Sequence, residues 1–187
     1  MAGKMDQTHH FNQLLEAAAQ DRPTVSNSGD LLRPLTHGVV IRPLTTHSDA
    51  RGTVTELMDE RWGYPDPIRS SYTFTIRPGV VKGWNLHRRH QDRYTLLTGE
   101  IELVLYDSRP ASPTFGQVCK IVLSEHHRVL VNVPVDVWHA DHNIGSRDAT
   151  VVNFPTEPYD YANPDKYRLP IDTDLIPYSF GPGATGW

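Results

Sequence analysis

Imidazoles, carboxylates and an amide recur in this chain at two fixed spacings. Gly79, Asn85, His87, Asp92 and Gly99 read G-x5-N-x-H-x4-D-x6-G, and further along Pro134, Asp136, His139 and Asn143 read P-x-D-x2-H-x3-N. A neutral imidazole takes up a proton or ligates a metal through nitrogen, and a carboxylate does either through oxygen. If two hairpins bring His87, Asp92 and His139 together, the three suit one divalent ion (Fe, Mn, Ni or Zn) with open positions for substrate. The residue types do not choose among those ions. Asn85 shares a strand face with His87, because side chains two apart point the same way. An amide is a poor transition-metal ligand, so Asn85 is expected to hydrogen-bond a substrate oxygen. His90 falls on the opposite face unless a turn intervenes, and reads as a surface residue of the Arg88-Arg89-His90-Gln91 turn. It nevertheless joins Asp92 and Tyr159 among the candidates for a general base.

Side chains so far apart in sequence need a scaffold of short strands. Strand-like runs cover 38–42, 53–58, 71–77, 94–97, 100–106, 120–123, 129–133 and 149–154, with turn residues between them. In 100–106, Ile101, Leu103 and Leu105 alternate with Glu100, Glu102 and Val104, which predicts one apolar face. The recurrence predicts an all-β sandwich or barrel. Residues 1–36 read as a polar leader with a short helix over 10–20, an arm or a loose segment. Residues 37–187 read as one domain. Its last part, 155–187, is a Pro-rich, irregular tail that wraps the barrel, with a turn of helix expected at 163–167.

The chain has 187 residues and a formal net charge of -4, which gives no electrostatic case for nucleic acid as partner. No apolar run approaches a membrane span, and the first residues lack the apolar segment of a secretory signal. The one cysteine, Cys119, cannot form an internal disulfide, so a cytoplasmic location is expected.

The two spacings resemble the two motifs of the cupins, with Asn85 for the first His, Asp92 for the usual Glu and Asp136 for a turn Gly. The order of segments further resembles the dTDP-4-dehydrorhamnose 3,5-epimerase family, a cupin branch, over roughly 38–177. Asp49-Ala50-Arg51-Gly52 is similar to its D-x-R-G turn, and Gly79-Val80-Val81-Lys82-Gly83-Trp84 to its G-V-x-R-G segment. Gly99-Glu100-Ile101 through Arg109, followed by Ser112-Pro113-Thr114-Phe115-Gly116, is similar to its long hairpin and S-P-T-F-G loop. The resemblance implies a double-stranded β-helix, or jelly roll, in a homodimer whose barrel holds a nucleotide-linked keto-sugar. It implies substrate contacts for Lys82, for its neighbour Trp84, and for Arg51, which would meet a nucleotide or phosphate. The family's catalytic His falls at Asn85 and its proton-donating Tyr at Asn153, which is left as a substrate contact. The scaffold is therefore retained while the acid and base of that epimerisation are replaced.

The expected function is an epimerase or isomerase that moves a proton beside a carbonyl through an enolate, with a metal at His87, Asp92 and His139 assisting. Two alternatives stand beside it. One is a metal-dependent cupin oxygenase or lyase acting on a non-sugar metabolite, and the other is a ligand-binding cupin without catalysis.

Overall fold

Residues 7–29, 32 and 34–187 are described by the structure, a computed structural model; the rest of the leader (1–6, 30, 31 and 33) lies outside them. The chain divides at Pro34 into two units. The first contains α1 (Gln7–Ala17), whose side chains are all exposed. The helix starts three residues earlier than the sequence suggests and ends before Asp21-Arg22-Pro23, where the residue preceding proline disfavours helical backbone.

The second unit, Leu35–Trp187, is all-β apart from one turn of 3-10 helix at Glu60–Trp62. Its strands are β1 (Val40–Pro43), β2 (Thr46–Asp49), β3 (Gly52–Thr55), β4 (Tyr72–Ile76), β5 (Val80–Leu86), β6 (Asp92–Thr98) and β7 (Glu100–Asp107). They continue as β8 (Val118–Ser124), β9 (Val129–Val133), β10 (Val137–Asn143), β11 (Ala149–Asn153), β12 (Tyr167–Arg168) and β13 (Thr185–Gly186). One sheet runs β1-β9-β6-β11-β4 and the other β12-β5-β10-β7-β8, with β13 also on β5. β2 and β3 form a separate hairpin. This is the jelly roll.

The inward faces obey period two. Ile101, Leu103 and Leu105 of β7 meet Ile76, Leu96, Val131 and Val151 of the other sheet in one dry core. A second cluster lies outside the barrel, where Trp84, Val81 and Ala140 are covered by Ile176, Tyr178 and Phe180 of the tail. The expected helical turn at 163–167 is absent. Instead β12 pairs antiparallel with the second half of β5, and β13 pairs parallel with its first half.

The S-P-T-F-G loop is held by one buried carboxylate. Asp107 accepts from Arg109 Nε and Nη2 at 2.8 Å each, from Ser112 Oγ at 2.5 Å and from Thr114 Oγ1 at 2.6 Å. Asn143 likewise holds a turn, donating to the carbonyls of Ile76 and Arg147 and accepting from Gly145.

Candidate active site

A cavity of about 310 Å³ opens at one end of the jelly roll. Its floor is buried: Asp92 and Tyr94 from β6, His139 and Asp141 from β10, and Asn153 from β11. Each pair two apart on a strand shares the inward face, so the polar floor passes into the apolar core by stepping along the same strands. Tyr72, Lys82, Lys166 and Arg168 stand at the rim, where they stay open to solvent.

β5 reaches the cavity through a bulge. His139 pairs with Asn85 and Asp141 with Lys82, so three steps on β5 oppose two on β10. The extra residue puts Lys82 on the same face as Asn85 and His87, while Trp84, one position from Asn85, faces outward by simple alternation. Gly83 occupies the bend at φ 147°, and a Cβ there would lie 2.6 Å from Ala140 Cβ. Trp84 is therefore fully buried against Tyr178 and Phe180, and the expected substrate contact from it is not made.

The expected trio is brought together. His87 Nε2 is 3.3 Å and His139 Nε2 3.4 Å from the same oxygen of Asp92, Oδ2. His90 joins them, which corrects the surface reading. After β5 the chain folds into a tight turn, and the carboxylate of Asp165 accepts the backbone N–H groups of Arg88, Arg89 and His90 at 2.8–3.2 Å. That turn lays the His90 ring against His87, with centroids 4.1 Å apart. His90 Nδ1 lies 2.9 Å from Asp165 Oδ2, and its Nε2 is 3.7 Å from Asp92 Oδ1. Ligand atoms of His87, His90 and Asp92 all lie within 4.8 Å of one another.

Besides Trp84, two expected residues stay away. Tyr159 is 53% exposed and packs on Tyr161 rather than lining the cavity. The irregular tail sends it over the outside, whereas residues 165–168 turn inward. The side chain of Arg51 is 90% exposed and pairs with Asp49 on the β2–β3 hairpin, outside the cavity. Asn153 is where it was expected, and it bridges two groups. Its amide donates to Asp92 Oδ1 at 2.7 Å and to the Tyr72 hydroxyl at 2.9 Å. Its own oxygen accepts from the Arg93 backbone N–H at 3.1 Å.

Residues not singled out beforehand complete the cavity. Tyr94 and Asp141 follow Asp92 and His139 by two, a parity that strand alternation reveals. Tyr72 is the cross-strand partner of Asn153, which requires the β4–β11 register. Asp165 and Lys166 depend on the path of the tail.

Electrostatics separates these groups. Burial raises the Asp92 carboxyl, but hydrogen bonds from His139 and His87 outweigh it and hold it well below its ordinary value. Burial pushes Asp141 up to about 6, against the opposing effects of His139 and the Tyr94 hydroxyl, which donates to it at 3.0 Å. Burial, then Asp92, pushes the Tyr72 phenol up to about 12, so it keeps its proton. Desolvation of the Lys166 ammonium among the cavity walls, with Arg168 nearby, lowers its pKa.

Comparison with known proteins gives a consistent picture. Residues 34–175 match the family model described as dTDP-4-dehydrorhamnose 3,5-epimerase. The chain is 38% identical over 142 residues to the "Probable low-salt glycan biosynthesis epimerase Agl13" of Haloferax volcanii, covering 74% of this chain and 90% of that one. It is 29% identical over 143 residues to the "Spore coat polysaccharide biosynthesis protein SpsL" of Bacillus subtilis, covering 76% and 95%. Among solved structures, a dTDP sugar isomerase from Desulfovibrio desulfuricans G20 is similar at TM-score 0.72 and 26% identity, covering 77% of this chain and 91% of that one. A variant of ChmJ, a 3'-monoepimerase from Streptomyces bikiniensis solved with dTDP, shares the fold at TM-score 0.71 and 19% identity, covering 83% and 81%.

Proposed function

Because the chain belongs to the dTDP-4-dehydrorhamnose 3,5-epimerase family, we propose that it is an epimerase or isomerase acting on a nucleotide-linked keto-sugar by proton transfer beside the carbonyl. The observation that carries this reading is a single cavity combining a buried carboxylate–imidazole floor with a rim of three cations, Lys82, Lys166 and Arg168. Enolate formation places negative charge on the substrate oxygen, and fixed donors stabilise it best where water is scarce. Lys82 and the Asn85 amide supply such donors beside the floor. Arg168, whose guanidinium lies over the Trp187 ring at 4.6 Å, lines the cavity rim and is assigned to the diphosphate.

Lys166 is assigned the removal of the proton, since an amine that gives up its own proton easily is the better base near neutral pH. Tyr72 is assigned the return of a proton. The family resemblance puts a proton-donating Tyr at 153, and the phenol here stands directly across the ladder, bonded to Asn153.

The test is incubation with dTDP-4-keto-6-deoxyglucose in deuterium oxide. Deuterium should enter the carbons beside the ketone. Saturable binding with no label incorporated would overturn the catalytic reading.

A further inference from the structure

We infer that the Asp141 carboxyl binds a hydroxyl on the carbon next to the substrate's carbonyl, so that the cavity selects α-hydroxyketones. The assignment rests on the keto-sugar reading of the same site and names the feature of the sugar that the floor recognises.

The floor holds two carboxyls, and the protein satisfies only one of them. Asp92 accepts from Asn153 on Oδ1 at 2.7 Å, and His87 and His139 lie 3.3 and 3.4 Å from its Oδ2. Asp141 is as deeply buried, at 3% exposure. Among the described residues its carboxyl has one hydrogen-bond partner, the Tyr94 hydroxyl, which donates to Oδ1 at 3.0 Å, and no donor reaches Oδ2. A buried polar atom left unmatched costs free energy that a bound group can recover. Asp141 lines the cavity, so the group that meets Oδ2 comes from whatever fills it.

Position tells which part of the sugar that is. Asp141 pairs with Lys82 in the β5–β10 register, and both line the cavity. Directly opposed residues have Cβ atoms about 4.5–5.5 Å apart. Even so, no ion pair joins these two among the described residues, and the Lys82 ammonium lies over the Phe74 ring at 5.5 Å. A donor and an acceptor held side by side, yet apart, match two polar groups on adjacent ring carbons. With Lys82 on the carbonyl oxygen, Asp141 takes the substituent one carbon away. A diphosphate at Arg168 keeps the linked carbon of the sugar toward the rim. The opposite side of the ring, which carries a ketone at C4, then reaches the floor. In a 4-keto-6-deoxy sugar the carbons beside the ketone are C3 and C5, and C3 bears the hydroxyl. An ionised carboxyl accepts a hydrogen bond, a protonated one also donates, and a hydroxyl answers either form. Recognition is therefore independent of the charge on Asp141. A methylene offers neither bond, and a second carboxylate would meet like charge.

The test is calorimetric titration of the full chain with dTDP, dTDP-6-deoxyglucose and its 3-deoxy counterpart, dTDP-3,6-dideoxyglucose. None of the three carries the ketone, so binding is read without turnover. The wild type should bind the 3-hydroxylated sugar about 10- to 100-fold more tightly than the 3-deoxy one, the span of a hydrogen bond to a charged group. Asp141→Leu should remove that preference while dTDP binds as it does to the wild type. Asp141→Asn, of the same size and still able to bond a hydroxyl, should keep part of it. Asp141→Ala, which removes the carboxyl without adding bulk, serves if circular dichroism shows the leucine variant unfolded. Equal binding of the two sugars by the wild type, or a preference undiminished without the carboxyl, would overturn the assignment to Asp141 alone. If none of the three ligands binds, the keto-sugar reading of the cavity falls with it.

Discussion

Asn153 divides its amide between Asp92 and the Tyr72 hydroxyl, so one side chain ties the floor of the cavity to its rim. If Lys166 takes the proton and Tyr72 returns one, two substitutions separate the half-reactions. Lys166→Met should abolish deuterium exchange itself. Tyr72→Phe should leave exchange within a few-fold of wild type while lowering formation of the inverted product by about 100-fold, within the span of a general acid's contribution. Deuterium exchange should rise with pH until the Lys166 ammonium has lost its proton, below its ordinary 10.5, and the Tyr72→Phe variant should keep that limb. Removing the bridge has a structural signature as well. Asn153→Ala leaves the buried Arg93 N–H without its acceptor, and should lower unfolding free energy in urea by about 1–3 kcal/mol.

β5 is the element on which the site turns. Alternation aims Asn85 and His87 inward and Trp84 outward, a bulge brings Lys82 in beside them, and both tail strands lie along β5. Gly83→Ala would drive a Cβ into Ala140 at 2.6 Å and should cost stability without touching a polar group of the cavity, about 1–3 kcal/mol by the usual penalty of overpacking. Trp84→Phe, monitored by steady-state kinetics, should leave KM for the sugar nucleotide unchanged while the melting temperature falls. A raised KM would restore the contact with substrate that the packing denies it. The strands and the meeting of His87, Asp92 and His139 were legible in sequence, because period-two alternation and fixed motif spacing map directly onto strand ends. Lys82 reaches the cavity only because one extra residue in the bulge shifts its parity, whereas Trp84, next to the inward Asn85, faces out by plain alternation, which the expected substrate contact overlooked. His90 was misread because its direction depends on a turn capped from the tail. Tyr72 needed the β4–β11 register, and Lys166 needed the path of a proline-rich segment with no periodicity to follow. Such long-range placements leave no local trace.

For the whole molecule, buried carboxylates link stability to acidity. Burial raises the Asp107 carboxyl, but bonds from Arg109, Ser112 and Thr114 outweigh it and depress it strongly. A carboxyl that is more acidic folded than unfolded contributes fully above its ordinary 3.8, and that contribution fades as pH falls below it toward the folded value. The melting-temperature gap between wild type and Asp107→Asn should therefore be wide near neutrality and narrow below about pH 3. Among the described residues no helix is long and apolar enough to cross a membrane.

Asp165 clasps the amides of Arg88, Arg89 and His90 from 75–77 residues further along the chain. Those three hydrogens can trade with solvent only when the clasp opens, so their exchange rates report on the distant tail. Anything that settles among the imidazoles should slow all three in concert, and loosening the tail should release them together even if no side chain in the cavity has been changed.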